Sequence, residues 1–182
     1  NGKDLLGIAS TGSGKTGAFL IPMIDMALRD KNNRILIVTP TRELASQIQT
    51  EFRKFAKSTN LKMTLVIGGE NIRTQIHLLK NKPQFVVATP GRLMDLERRN
   101  KINLKSFNTI VLDEVDQMLD MGFVADIKLV ISKLAEQRQS LFFSATMSQK
   151  EETLANTLLK DPIKLEVHKQ SPLKSIHQDI VK

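Results

Sequence analysis

Short apolar runs punctuate the chain at Leu5–Ala9, Ile35–Val38, Met63–Ile67, Phe85–Ala88, Thr109–Leu112 and Leu141–Phe143, with a weaker run at Ile163–Val167. Runs this short and this continuously apolar predict strands buried on both faces, the mark of a parallel sheet. The segments between them have helical length and period. Leu44, Ile48, Phe52 and Phe55 recur at i, i+4, i+8 and i+11, and Val124, Ile127, Val130/Ile131 and Leu134 do likewise, so each segment predicts a helix laying one apolar stripe on the sheet. The expected architecture is α/β, a mostly parallel central sheet flanked by helices on both faces. Beyond Lys160 the pattern thins, and Ser171-Pro172-Leu173-Lys174 reads as a linker. One domain over residues 1–170 is expected, with 171–182 leading onward to something further.

Each predicted strand gives way to a polar cluster at its C-terminal end. Leu5–Ile8 runs into Ala9-Ser10-Thr11-Gly12-Ser13-Gly14-Lys15-Thr16, Ile35–Val38 into Thr39-Pro40-Thr41-Arg42-Glu43, and Leu65–Ile67 into Gly68-Gly69. Phe85–Ala88 runs into Thr89-Pro90-Gly91-Arg92, Thr109–Leu112 into Asp113-Glu114-Val115-Asp116, and Leu141–Phe143 into Ser144-Ala145-Thr146. In a parallel sheet all strand C-termini share one edge, where open α/β folds bind ligands. Six polar clusters are therefore predicted to converge on one rim.

Composition narrows the chemistry. The 182 residues include no Cys, which excludes a disulfide framework and a thiolate zinc site, and the three His lack metal-ligand spacing, so any metal is expected on oxygen ligands. No apolar run approaches a membrane span, and the first residues lack the order of a signal peptide. A soluble intracellular monomer is the expectation, cytoplasmic or, in a eukaryote, nuclear. Net charge is +8, and the excess is uneven: residues 1–91 carry 13 basic and 6 acidic side chains, residues 92–182 carry 14 and 13. That suits a polyanion partner. With eight Phe as the only aromatics, a nucleic acid is expected to be held by its backbone rather than on stacking platforms.

The clusters on the rim carry specific chemistry. Gly12-Ser13-Gly14-Lys15-Thr16 between a strand and a helix has the mechanics of a phosphate loop: backbone N–H groups from Ser10 to Gly14 wrap phosphates, Lys15 reaches the β/γ-phosphates, and the Thr16 hydroxyl ligates Mg²⁺. The alternative is a glycine turn with an incidental Lys. Asp113 and Glu114 end an apolar strand and so put two carboxylates at the edge, Asp113 for Mg²⁺ and Glu114 to orient or deprotonate water; alone, they also fit a solvated acidic turn. Asp116 is open between helix capping and bonding another motif. Thr-Pro-x-Arg occurs twice, at Thr39–Arg42 and Thr89–Arg92; Thr suits an N-cap and Pro the first helical position, leaving free N–H groups and an Arg for a backbone phosphate. Gly68-Gly69 serves close backbone approach or a tight turn. Ser144 and Thr146 offer hydroxyls between two ligand sites. Arg98, Arg99 and Lys101 read as a solvated helix end, and the Met and Phe residues as packing.

Together AxxGxGKT at Ala9–Thr16, PTRELA at Pro40–Ala45, GG at Gly68–Gly69, TPGR at Thr89–Arg92, DEVD at Asp113–Asp116 and SAT at Ser144–Thr146 resemble, in order and spacing, the first domain of DEAD-box RNA helicases. The resemblance implies a RecA-like P-loop NTPase domain that uses ATP and Mg²⁺ and contacts RNA through its sugar-phosphate backbone. It implies ATPase roles for Lys15, Thr16, Asp113 and Glu114, RNA contacts for Pro40, Arg42, Gly69, Thr89, Gly91 and Arg92, and coupling of the two sites through Ser144, Thr146 and Asp116. Val115 stands where the family's motif has Ala, and carries no reacting group. The family's adenine-reading Q motif is expected before Asn1, and a second RecA-like domain with arginine fingers after Lys182. A P-loop small-molecule kinase and a noncatalytic nucleic-acid-binding module are the alternatives.

Overall fold

The structure is a computed structural model that describes residues 2–167; the predicted linker at 171–182 lies outside the described residues. The elements alternate as β1 (Leu5–Ala9), α1 (Lys15–Arg29), β2 (Ile35–Val38), α2 (Arg42–Phe55), β3 (Met63–Val66), α3 (Ile72–Lys80), β4 (Phe85–Ala88) and α4 (Pro90–Arg98). A 3₁₀ turn at Leu104–Ser106 leads to β5 (Thr109–Leu112), α5 (Val115–Asp120), α6 (Val124–Lys133), β6 (Gln139–Ser144), α7 (Gln149–Leu158) and β7 (Ile163–Val167). The strands form one sheet in the order β3-β4-β2-β5-β6-β1-β7, and every pairing is parallel.

That order fixes which helices cover which face. From β1 the chain travels through α1 and α2 toward the β3 edge, then reverses and returns through α3 to α7. Right-handed crossovers put helices made in opposite directions of travel on opposite faces. Accordingly Phe19, Leu20 and Met23 of α1 and Ile48 and Phe52 of α2 pack on Ile35, Ile37, Phe85 and Val87. The returning helices bury Leu93, Met118, Ile127 and Val130 against Leu36, Val38, Val86 and Ile110. Consecutive residues of β2 thus serve opposite cores, as the two-residue period of a strand requires, and all four are buried. β7 is different: it is an edge strand, exposed along its whole length. No described helix is long and apolar enough to cross a membrane.

Three predicted details differ. β6 extends from Gln139 to Ser144, beyond the apolar run, because backbone pairing with β1 carries Ser144 into register with Ile8. Thr39 and Pro40 do not open α2. Thr39 is fully buried at the end of β2, its hydroxyl donating to the Thr41 carbonyl at 3.0 Å, and Thr41 is the N-cap, accepting from the Leu44 amide at 3.2 Å. The second copy does follow the prediction, with Thr89 as N-cap and Pro90 at the first helical position. Phe55 departs from the stripe begun by Ile48 and Phe52: it ends α2 at 42% exposure.

At the N-terminal edge of the sheet Asp4 is 5% exposed and fully engaged. One carboxylate oxygen accepts the Ser140 amide and the other the Lys160 amide, each at 2.7 Å, tying the entrances of β1, β6 and β7 together.

Candidate active site and nucleic-acid interface

The loop after β1 turns through left-handed backbone at Gly12 (φ 76°) and Gly14 (φ 90°), a conformation that costs glycine nothing. No atom lies within 4 Å of where a Cβ would sit at either glycine, so the loop opens onto free space. Inside it the Ser13 amide donates to the Ser10 carbonyl at 3.3 Å and the Lys15 ammonium donates to the Ala9 carbonyl. α1 begins here with no side-chain cap and no acidic residue in its first turn. Its first N–H groups and the positive end of its dipole therefore have no internal anion to meet.

β5 delivers Asp113 to the same place. Its carboxylate is 3% exposed and accepts one protein hydrogen bond, from the Glu114 amide at 3.0 Å. Burial pushes its pKa up to about 6, Glu114 and Asp116 add to the rise, and Lys15 opposes it. Glu114 takes left-handed backbone (φ 56°, ψ 55°), uncommon for a residue with a side chain and typical of functional turns. Thr11, Gly12, Gly14, Lys15 and Thr16 face Asp113 and Glu114 across a cleft of 580 Å³. Its remaining wall is Leu44, Gln47, Glu51 and Phe55 of α2, which sequence reasoning missed. Once Arg42 starts the helix at the rim, the i, i+3, i+7, i+11 face from Leu44 looks along the edge toward the loop, and an apolar stripe alone does not reveal that. Ser13 turns away, toward an apolar groove formed by Leu5, Gly7, Phe143 and Leu165.

A second cleft, of 400 Å³, opens farther along the same edge, lined by Pro40, Arg42, Gly68, Thr89, Gly91 and Arg92, with Glu43, Met121 and Phe123 also on its walls. Gly69 lies beneath Arg42: at φ 79°, a Cβ there would overlap the guanidinium. The glycine pair thus accommodates a close approach by the chain's own Arg42. Arg92 is aimed by Gln75, which is 2% exposed; its amide nitrogen donates to the Ile67 carbonyl at 2.9 Å and its oxygen accepts from Arg92 at 3.0 Å. Nothing in the spacing of the sequence pointed to Gln75.

A hydrogen-bonded junction adjoins the larger cleft. One Asp116 carboxylate oxygen accepts the Ala145 amide at 3.1 Å and the Thr146 amide and hydroxyl at 3.0 Å, while the Asp116 amide donates to the Ser144 hydroxyl at 3.2 Å. Asp116 therefore bonds another motif. Burial pushes its carboxyl up, but its donors, led by the Thr146 amide, hold the pKa below the ordinary value. A depression of 210 Å³ above these bonds includes Thr11 and Glu114, both shared with the larger cleft.

The sequence model of the DEAD/DEAH box helicase family matches residues 1–154. The chain belongs to this family. It is 44% identical over 172 residues to a probable ATP-dependent RNA helicase, ddx17, of Dictyostelium discoideum, and 42% identical over 166 residues to the DEAD-box ATP-dependent RNA helicase RhpA of Helicobacter pylori. Those matches cover 91% of this chain but 22% and 34% of the two relatives, so the chain spans about a third or less of their length. Among solved structures, a DEAD box protein from Methanococcus jannaschii superposes with a TM-score of 0.85 at 38% identity, over 90% of this chain and 45% of that one. A hypothetical ATP-dependent RNA helicase from Sulfolobus tokodaii gives 0.84 at 35%, over 91% and 48%. The fold is thus the RecA-like domain of this helicase family, with its sheet here wholly parallel among the described residues.

The donor set suits Mg²⁺ held together with a nucleotide. No group of three or more His, Cys, Asp or Glu among the described residues is placed to hold a metal by itself. Magnesium typically takes one or two protein oxygens and completes its shell with phosphate and water. Asp113, buried with a single protein donor, and the Thr16 hydroxyl supply that number.

Proposed function

We propose that the chain is the ATP- and RNA-binding domain of an ATP-dependent RNA helicase that hydrolyses ATP to separate short RNA duplexes or remodel RNA–protein complexes. One observation carries the reading: two clefts of different chemistry share one sheet edge, and α5 runs from Glu114 on the first to Met121 beside the second, with Asp116 in its first turn bonded to Ser144 and Thr146. The names of the relatives in this family, ATP-dependent RNA helicases, support it.

In the larger cleft the amides from Ser10 to Gly14 and the N-terminus of α1 bind the phosphates, and Lys15 neutralises charge on the β- and γ-oxygens. Glu114 accepts a proton from the attacking water as its oxygen bonds to the γ-phosphorus and the bond to the bridging oxygen breaks. Mg²⁺, when bound through Thr16 and Asp113, neutralises charge on the phosphate oxygens. In the second cleft Arg42, Arg92 and the amides at the N-terminus of α4, around Thr89 and Gly91, take RNA phosphates; Pro40 and Gly69 shape the approach. An arginine from a second RecA-like domain of the same chain completes the transition-state charge, a contribution of about 10³–10⁵ in rate. No arginine of the described residues faces the phosphate cleft.

The test is phosphate release by the native full-length protein, with and without single-stranded RNA, beside the same assay on residues 1–182. RNA is expected to stimulate the full-length protein in a salt-sensitive way and to leave the isolated domain nearly inactive. Turnover of the full-length protein indifferent to RNA would overturn the reading, and transfer of phosphate to a small acceptor in place of water would replace it with a kinase.

A further inference from the structure

The six-residue helix α5 is marked chemically at both ends. Its N-terminus follows directly from Asp113 and Glu114, and its C-terminus closes at Met121, Gly122 and Phe123. The Gly122 amide donates to the Leu119 carbonyl and the Phe123 amide to the Met118 carbonyl, both at 3.0 Å, with Gly122 at φ 83°. This pair of bonds is the Schellman closure, which depends on left-handed backbone at the residue after the cap. Val115 and Met118, at 3% and 0% exposure, anchor the helix in the core. The positions of Met121 and Phe123 are therefore set by backbone bonds and packing.

Both residues border the cleft that holds Arg42 and Arg92. Met121 is 50% exposed; Phe123 is half-buried, packed against the core on one side and open to the cleft on the other. The cleft thus brings two arginines, with Glu43 its one carboxylate, together with an apolar pair. A single nucleic-acid strand presents the matching pair of surfaces, phosphates along one side and sugar and base faces along the other. A thioether and a phenyl ring gain from covering such faces through exclusion of water and dispersion, with no dependence on base identity.

We propose that Met121 and Phe123 form an apolar ledge that packs against the sugar and base faces of the RNA strand whose phosphates are held by Arg42 and Arg92. The proposal rests on the RNA-binding reading above and adds residues that the charge pattern does not reveal. α5 joins the ledge to Glu114 over about 10 Å. RNA seated on the ledge therefore abuts the same short helix that carries the carboxylate end of the phosphate cleft.

The experiment measures binding of a fluorescein-labelled oligouridylate to the full-length protein by anisotropy over a salt series, with the parent, Met121→Ser, Met121→Leu, Phe123→Leu and Arg42→Ala compared. Met121→Ser is expected to weaken binding about 5- to 10-fold at every salt concentration without altering the slope of log affinity against log salt. Met121→Leu, which keeps an apolar surface, should stay within about two-fold of the parent, and Phe123→Leu should lose roughly three-fold. Arg42→Ala should lower the slope. Thermal melts verify folding, and Met121→Gln replaces any serine variant that unfolds. The ledge is overturned if Met121→Ser binds as the parent does, or if its loss comes with a reduced slope. It is also overturned if RNA affinity is retained while association of the two helicase domains weakens, which would make this a protein-docking face. A parent with no salt-dependent RNA binding at all would sink the RNA-binding reading itself.

Discussion

Two aspartates, at opposite ends of the same parallel sheet, are buried to nearly the same degree: Asp4 at 5% exposure and Asp113 at 3%. Asp4 stands before β1, and each of its oxygens receives a backbone N–H from a neighbouring strand entrance. Asp113 stands after β5 and receives the amide of its own neighbour. Removing a carboxylate from water costs several kcal/mol unless hydrogen bonds or opposite charge replace the solvent. At the N-terminal edge the fold supplies that replacement; at the C-terminal edge it supplies less, and burial leaves Asp113 with a pKa raised to about 6 against the opposing charge of Lys15. One edge satisfies its buried carboxylate with two backbone donors and the other leaves Asp113 with one, which is what the proposed metal site needs.

The largest effects are expected on chemistry at the C-terminal edge. In the full-length protein Glu114→Gln should retain ATP and lower turnover by about 10²–10⁴, and Lys15→Ala should abolish ATP binding or turnover, both without loss of thermal stability, since these side chains line an open cleft. Phosphate release together with a melting curve checks both halves. Parental turnover in Glu114→Gln would remove it from the mechanism.

At the opposite edge the effect should fall on the fold. Asp4→Ala leaves the Ser140 and Lys160 amides without partners and is expected to cost about 2–4 kcal/mol, a melting temperature lower by roughly 5–15 °C. Nucleotide affinity measured well below the melting point should hardly change. A stable Asp4→Ala domain would show that the N-terminal edge does not depend on this carboxylate.

Asp113→Asn should do the reverse, stabilising the metal-free domain while removing Mg²⁺-dependent ATP turnover. The folded-state pKa of Asp113 is about 6, against an ordinary 3.8, so folding disfavours its charged form. Below about pH 3 the group is protonated in both states, and parent and variant should melt alike. The gap in favour of the variant should open between about pH 3 and 6 and reach at most about 3 kcal/mol above pH 6. Chemical denaturation at about pH 3 and about pH 7.5 without divalent cations reads it directly, and an equal gap at both would refute the assignment.

The smallest expected effect concerns the two arginines of the second cleft. Arg42→Ala and Arg92→Ala should each reduce the slope of log affinity against log salt by about 0.7 for single-stranded RNA, with similar losses on every sequence. Loss confined to particular sequences would mean that these residues read bases.

Much of this was legible because parallel strands announce themselves. Ile35–Val38, Phe85–Ala88 and Thr109–Leu112 are continuous apolar runs, and each is a strand with those bounds. Since a parallel sheet gathers its strand C-termini on one edge, connectivity alone assigns the loop after β1, Asp113 and both Arg motifs to one rim. The sequence by itself determined the strands, that shared edge and the chemical character of each loop, because these depend on local apolar content and on connectivity. Only the tertiary structure decided which wall each side chain joins. Phe55 leaves its stripe for the larger cleft, Gln75 aims Arg92 from a buried position, and Met121 and Phe123, which read as packing, share a cleft with two arginines. Asp4 and Asp113 carry the same carboxylate, and what separates them is which backbone N–H groups the assembled sheet brings within reach. Burial and hydrogen-bond supply are set by residues distant in the chain, and local pattern carries no record of them.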